Sequence, residues 1–401
     1  MILTKPHSWI ELSATLFNQN VATYRRMLGP QKTFVAVIKS NGYGHGSYQM
    51  GQLCDANPAV DWLATSNLSE ALELRALGIK KPIVVLGFID EDPRNALHMH
   101  IALPIHDIAT LHELNARALE AKKRFSVHIK IDTGMSRFGF FPEQALTVIK
   151  QAKTLPGILV DGIFTHCAEP NSQDYTRYQL DQFSAVCSQV AAAGIEIPYK
   201  HAANSAVTGA FMAEYPELNT ARIGAGIYGF WHSESIKKQI LTNYTGADLQ
   251  PILSWKTKIG AIRELPANTP VGYDRTYTTS RPTKIAVLPV GYYESYDRKL
   301  YTQDRFVLVK NQYAPVIGRV CMNATIIDIT GLHDIQLQDE VTLIGDYDHL
   351  RAAELVALIG NANPREVITR LTPNINRIIV PELTSQIQTA HQPAQGKIES
   401  V

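Results

Sequence analysis

From residue 13 to about residue 230 the chain alternates short β-branched or apolar runs with stretches whose apolar residues recur at helical spacing, the rhythm of βα units. Strands are predicted at TFVAVIK ending at Lys39, DWLATS ending at Ser66, PIVVLGF ending at Phe88 and HIALPIHD ending at Asp107. Four more are predicted at FSVHIKID ending at Asp132, ILVDGIFTH ending at His166, IPYKHAAN ending at Asn204 and ARIGAGIYGF ending at Phe230. Between them SEALELRALG, LHELNARALEAK and YQLDQFSAVCSQVAAAG carry helical periodicity, the last with a glycine stop. Eight such strands predict a (β/α)8 barrel of the TIM type, in which chemistry gathers at the C-terminal strand ends. Past residue 245 the rhythm changes. PILSWKTKIGAIREL, TKIAVLPVGYY, RFVLVK, YAPVIGRV, ATIIDIT and DEVTLIG are strand-like with short turns, and only LRAAELVALIG has the pattern of a good helix. The expected organisation is a barrel over residues 13–240 and a mainly β C-terminal domain over 241–383, whose sheet residues 1–12 join. A polar, Gln-rich tail over 384–401 is expected to be poorly ordered.

Composition narrows the function. At 401 residues, 45% of them hydrophobic, the chain is too long for one average domain. The formal net charge is +1, with Lys and Arg scattered, which argues against a nucleic-acid backbone or an anionic membrane as partner and for a small-molecule ligand. Cys54, Cys167, Cys187 and Cys321 lie far apart, without a CxxC pair, and read as reduced thiols of a cytoplasmic protein; no metal site is expected. The N-terminus has no signal-peptide pattern, and no run reaches the length of a membrane span.

Candidate chemistry lies where strands end. In FVAVIKSNGYGHG, apolar residues run into Lys39 and then into a glycine-rich loop. A lone lysine is usually a solvated charge, but one half-buried at a strand end loses solvation, which lowers its pKa and suits it to Schiff-base chemistry with an aldehyde. In HIKIDTGMSRFGF, Lys130 and Asp132 precede a turn through Gly134 to Arg137, and an arginine there can grip a carboxylate with two parallel bonds. IFTHCAE and KHAANSA place His166, Asn204 and Ser205 at strand ends, although each histidine taken singly is more often a satisfied core group. ARIGAGIYG joins Arg222 to Gly224, Ala225, Gly226 and Gly229, small residues that let backbone N–H groups approach a phosphate. VGYDRTYTT offers Tyr273, one of 17 tyrosines and a base only if its phenol is tuned by positive charge.

These segments, followed by VLPVGYY and VIGRVCMN in the same order, closely resemble the motifs of the alanine racemase family of fold-type III pyridoxal-phosphate enzymes, over roughly residues 5–380. The resemblance implies a cofactor lysine at Lys39 and cofactor contacts from Tyr43, His166, Asn204, Ser205, Arg222, Gly224 and Ala225. Lys130, which can be carbamylated in the family, would steady Arg137, which faces the ring and the substrate carboxylate. His166 would bond an arginine beneath the ring, Ser205 would hold a phosphate oxygen, and Arg222 would keep the pyridine nitrogen unprotonated. Racemisation of alanine would use two bases, Lys39 on the D side and Tyr273 on the L side. Tyr273 would reach the site from a second subunit with the backbone around Met322, making the active unit a homodimer. Tyr292, Arg319, Cys321 and Asn323 would support the pocket. The product D-alanine would supply peptidoglycan.

Three positions depart from the family pattern. Asn323 stands where an aspartate is usual, Pro373 where a phosphate-binding tyrosine is usual, and Tyr293, Glu294 and Ser295 replace a glycine-aspartate pair. They leave room for a racemase of serine, lysine or arginine on the same scaffold. A decarboxylase of this barrel type would lack VGYDRTY and carry its own cysteine motif, and a non-catalytic cofactor-binding protein would normally consist of the barrel alone.

Overall fold

The structure, a computed structural model, describes residues 7–301, 305–360 and 363–383; the tail expected over 384–401 lies outside them. The chain divides into two compact units, one holding residues 15–42 and 46–250, the other residues 43–45 and the described parts of 1–14 and 251–401. The division falls at Gln250, beyond the boundary expected at residue 240. Helix Glu234–Asn243 explains this, since Ile240 packs where a Gly209 side chain would be. Asn20 then clasps Gln250, donating to its carbonyl at 2.9 Å and accepting its N–H at 3.0 Å.

The described chain opens with β1 (Ser8–Ser13), which belongs to the second unit. The barrel strands are β2 (Thr33–Val37), β3 (Trp62–Asn67), β4 (Ile83–Phe88) and β5 (Ile101–Ile105), then β6 (Phe125–Lys130), β7 (Ile158–Phe164), β8 (Tyr199–His201) and β9 (Thr220–Ile223). All pair in parallel in the order β8-β7-β6-β5-β4-β3-β2-β9. An isolated parallel bridge between Asn204 and Arg222, with Arg222 N–H on the Ala203 carbonyl at 2.9 Å, nearly closes the ring. On these strands Val35, Leu63, Val85, Leu103, Val127 and Ile163 are buried. The amphipathic helices Ile108–Glu120 and Gln173–Ala192 start at side-chain caps, Asp107 and Ser172, that satisfy first-turn N–H groups.

Two predicted barrel strands are shorter than their apolar patterns. IPYKHAAN stops at His201 because the Asn204 side chain accepts the N–H groups of Ala206 and Val207 and so caps helix Ser205–Ala210. ARIGAGIYGF stops at Ile223, after which Gly224 turns the chain into a 3-10 turn, Ala225–Tyr228, closed by Gly229 at φ 89°. Both truncations leave the strand ends as loops, and the candidate residues lie there.

In the second unit, β10 (Leu253–Lys258) and β11 (Ala261–Leu265) are followed by the short pair β12 (Pro270–Val271) and β13 (Tyr277–Thr278), then β14 (Thr283–Leu288), β15 (Phe306–Val309), β16 (Gln312–Pro315), β17 (Thr325–Asp328), β18 (Glu340–Ile344) and β19 (Asn376–Val380). They form a six-stranded sheet β16-β15-β18-β10-β1-β19 and a three-stranded sheet β11-β14-β17. The run PILSWKTKIGAIREL is therefore two strands in different sheets. β1 lies antiparallel to β10 and parallel to β19. Lys256 on β10 is buried between Glu11 at 2.8 Å and Glu340 at 2.7 Å, so a charge that alternation would send to solvent is neutralised inside the sheet. Besides Ala352–Ile359, a second helix, Pro364–Thr369, starts where the Asn363 side chain accepts the Arg365 N–H and proline stands first, a start signal the apolar pattern hides. No helix among the described residues is long and apolar enough to cross a membrane.

Candidate active site

Lys39 follows β2 after five buried apolar residues, Phe34 to Ile38. Ser40, Asn41 and Gly42 then take left-handed φ values of 55°, 53° and 58°, so the chain turns sharply at the lysine. Glu70 fixes the turn, its two oxygens accepting the N–H groups of Ser40 at 2.6 Å and Ser66 at 2.7 Å. Burial holds the Lys39 ammonium below its usual pKa, Arg137 and Arg222 push the same way, and Glu70 opposes them. This favours the free amine.

The loop after β6 is built by Asp132. Its Oδ1 accepts the N–H groups of Gly134, Met135 and Ser136 at 2.9 to 3.1 Å, and Gly134 has φ 128°. A Cβ on Gly139 would lie 2.7 Å from Lys130 Cγ, so glycine lets the loop close over the lysine. Arg137 is exposed, its guanidinium carbon 4.8 Å from the centre of the Phe138 ring, and Phe138 packs in turn 4.2 Å from His106. Lys130 is 1% exposed and donates to the Ile131 carbonyl at 2.9 Å. Burial, then Arg222, push its pKa down to about 7 against the attraction of Asp132. Among the described residues no hydrogen bond joins Lys130 to Arg137; the arginine rests on Phe138 instead.

Arg222 on β9 is buried without a carboxylate partner. It donates to Thr165 O at 2.7 Å, His201 Nδ1 at 2.9 Å, His166 Nδ1 at 3.3 Å and the carbonyls of His201 and Ala202. Burial, then the cation itself, hold both imidazoles well below their usual pKa, so they stay neutral and accept from it. Its own pKa falls to about 10, chiefly through burial, leaving a fixed cation at neutral pH. His201 continues the chain to His128 at 2.7 Å. Nearby, Ser205 Oγ accepts the N–H groups of Gly224 at 3.0 Å and Gly226 at 3.3 Å, with Ala225 between them.

Sequence reasoning assigned no role to His201, Glu70 or Phe138. His201 stands inside a motif already singled out, KHAANSA, which was the available signal. Glu70 lies in the first turn of a predicted helix, where an acidic residue is commonplace, and nothing else local marks it.

The remaining candidates belong to the second unit. Tyr43 and Gly44 pack with it: Arg377 donates to the Gly44 carbonyl at 2.9 Å, and a Cβ on Gly44 would lie 2.1 Å from Ile368 O. Tyr273 is 62% exposed and follows Gly272, which has φ 72°. Arg319 pairs with Asp274 and lies over the Tyr301 ring at 5.5 Å. Backbone bonds from Tyr292 N to Cys321 O and from Tyr293 N to Met322 O, both 3.0 Å, join the GYY and CMN loops. Asn323 donates to Glu294 at 3.1 Å, and Glu294 accepts the Gly291 N–H at 2.8 Å, so two of the unusual residues are partners. Tyr292 and Met322 are both exposed. Pro373 contributes a carbonyl to Arg377 at 3.1 Å.

A family model described as the N-terminal domain of alanine racemase matches residues 12–231, and one for the C-terminal domain matches residues 252–379. The chain belongs to the alanine racemase family. It is therefore an isomerase of the racemase class, with the barrel and β-domain architecture of that family. An alanine racemase of Clostridium perfringens is 36% identical over 378 residues, which are 92% of this chain and 94% of that one. The solved alanine racemase of Clostridium difficile 630 superposes with a TM-score of 0.86 at 29% identity, covering 94% of this chain and 97% of that one. A histidine racemase from Leuconostoc mesenteroides shares the fold, with a TM-score of 0.84 at 24% identity over 94% of this chain and 99% of that one.

Proposed function

We propose that the chain interconverts L- and D-alanine with pyridoxal 5'-phosphate, as a cytoplasmic homodimer whose product supplies peptidoglycan. One observation carries the reading: Lys39, its amine form favoured by burial, stands in the field of two arginines, one of them a fully buried cation with only neutral acceptors around it. The residues fit the cofactor. Ser205, Gly224, Ala225 and Gly226 cluster small groups and N–H donors suited to a phosphate, and the family resemblance implies further contacts from Tyr43, His166 and Asn204. When bound, pyridoxal phosphate supplies an aldehyde for the substrate amine and a conjugated ring that takes up the electron pair left at Cα.

The chain's own residues do the rest. Arg137 binds the substrate carboxylate, and its stacking on Phe138 limits where the guanidinium can point. Arg222, a cation held by Thr165, His166 and His201, can donate a hydrogen bond to a ring nitrogen but is too weak an acid to protonate it, so it would hold that nitrogen unprotonated and disfavour transamination. Lys39 Nζ takes or returns the α-proton on the D side. Tyr273 of a second copy does so on the L side, with the Met322 backbone beside it, and the exposure of both residues suits that role. Lys130, Tyr292, Arg319, Cys321 and Asn323 support the pocket.

A second reading, racemisation of serine, lysine or arginine, is favoured by Glu294, which with Asn323 puts a carboxylate beside the Met322 loop. The test is racemisation of a panel of L-amino acids by purified protein with added cofactor, followed by chiral chromatography. Alanine is expected to turn over fastest. A larger or charged substrate dominating would replace the first reading by the second.

A further inference from the structure

Helix Ala14–Leu28 buries Phe17, Val21, Tyr24 and Leu28. Tyr24 is the one in this set with a hydroxyl, and it is 1% exposed. Its ring occupies the space a Gly226 side chain would need: a Cβ there would lie 2.0 Å from Tyr24 Cε2 and 2.8 Å from Tyr24 Oη. The side chain of Ser205 is the hydrogen-bonding neighbour of this hydroxyl, and burial drives the phenol far above its usual pKa, so it stays protonated at neutral pH. A buried phenol needs such a partner.

Ser205 Oγ already accepts the N–H groups of Gly224 and Gly226, and of the Tyr24 and Ser205 hydroxyls only one can donate to the other, so one of their two protons is left over. A serine oxygen has two lone pairs and cannot accept three donors well. A buried proton left over in this way suits an added acceptor carrying several oxygens and negative charge.

We propose that Tyr24 is a positioning residue of a phosphate-monoester subsite, donating to Ser205 Oγ so that the serine proton and the two glycine N–H groups are left for the phosphate. A hydroxyl that already accepts a hydrogen bond is the better donor, because each bond in a chain polarises the next. The proposal rests on the cofactor reading given above and adds to it a residue that reaches the cofactor only through Ser205.

The test compares the full-length wild type with Tyr24→Phe, titrated with pyridoxal 5'-phosphate and, separately, with pyridoxal, which lacks the phosphate. The variant is expected to lose about five- to tenfold in affinity for the phosphorylated compound, the worth of roughly one hydrogen bond, with pyridoxal affinity unchanged. Equal losses for both compounds would mean that the phenol only packs, and no loss for either would mean that it does nothing; each overturns the proposal. A wild type that binds neither compound would overturn the cofactor reading itself, and the proposal with it. Should Tyr24→Phe not fold, the pair Tyr24→Leu with Gly226→Ala refills the space of the ring from the other side and is expected to show the same phosphate-specific loss.

Discussion

Replacing Lys130 by methionine removes a buried amine while keeping an unbranched side chain of similar reach. In the folded protein the ammonium is pushed from the ordinary 10.5 down to about 7, first by burial and then by Arg222. Between those two values the unfolded chain binds more protons than the folded one, so wild-type stability rises with pH across that window. At about 1.4 kcal/mol per pH unit, carrying this charge costs the fold about 4 kcal/mol at pH 7 and about 1 kcal/mol at pH 9.5. Against this stands the bond from Lys130 to the Ile131 carbonyl, worth about 1 kcal/mol, which methionine loses. Lys130→Met should therefore be the more stable protein at pH 7, by about 3 kcal/mol, and should lose that advantage by pH 9.5. Urea unfolding of both proteins at the two pH values, in buffer freed of carbon dioxide so that the amine stays unmodified, measures the difference. The comparison cancels every other group that titrates in this range. A difference of the same size at both pH values would refute the reasoning, because it would show that Lys130 carries no charge penalty in the fold.

Three further outcomes follow from the site and its framework. Lys39→Ala should abolish both racemisation and the absorbance of the lysine–cofactor adduct, with an unchanged urea midpoint showing that the loss is chemical. Tyr273→Phe should keep that absorbance and lower racemisation by at least about 100-fold, with solvent deuterium entering alanine from one enantiomer only; unchanged racemisation would remove Tyr273 as a base. Gly44→Ala asks alanine for φ 82° and puts a methyl 2.1 Å from Ile368 O, so it should destabilise the protein by about 3 kcal/mol in urea unfolding.

How much of this was legible in the chain depends on whether the deciding interaction is local. The barrel could be read because strands such as Thr33–Val37 and Ile101–Ile105 are buried on both faces and so appear as short continuous apolar runs. Lys39 could be singled out because an apolar strand and a glycine-rich turn meet at it. The ends of β8 and β9 were overrun because Asn204 and Gly224 act there through a side-chain cap and a backbone turn, which hydrophobic patterning does not register. Lys256 was illegible for a different reason: its two carboxylates come from β1 and β18, at opposite ends of the second unit's sequence.

Tyr24 shows where such reading runs out. On its helix it falls on the stripe with Phe17, Val21 and Leu28, and a tyrosine there reads as packing. What gives it a polar role is the absence of a side chain at Gly226, some 200 residues on, and neither residue reports on the other until β2 and β9 pair. The same holds for Arg222. Its motif proposes a cation, but how that cation is held and aimed depends on Thr165, His166 and His201, which end two other strands and all accept from it. The strand order makes these partners neighbours, since β7 and β8 pair with each other and the bridge at Asn204 brings β9 alongside. Sequence motifs thus identify which groups can do the chemistry, while their protonation states are decided by the closure of the barrel.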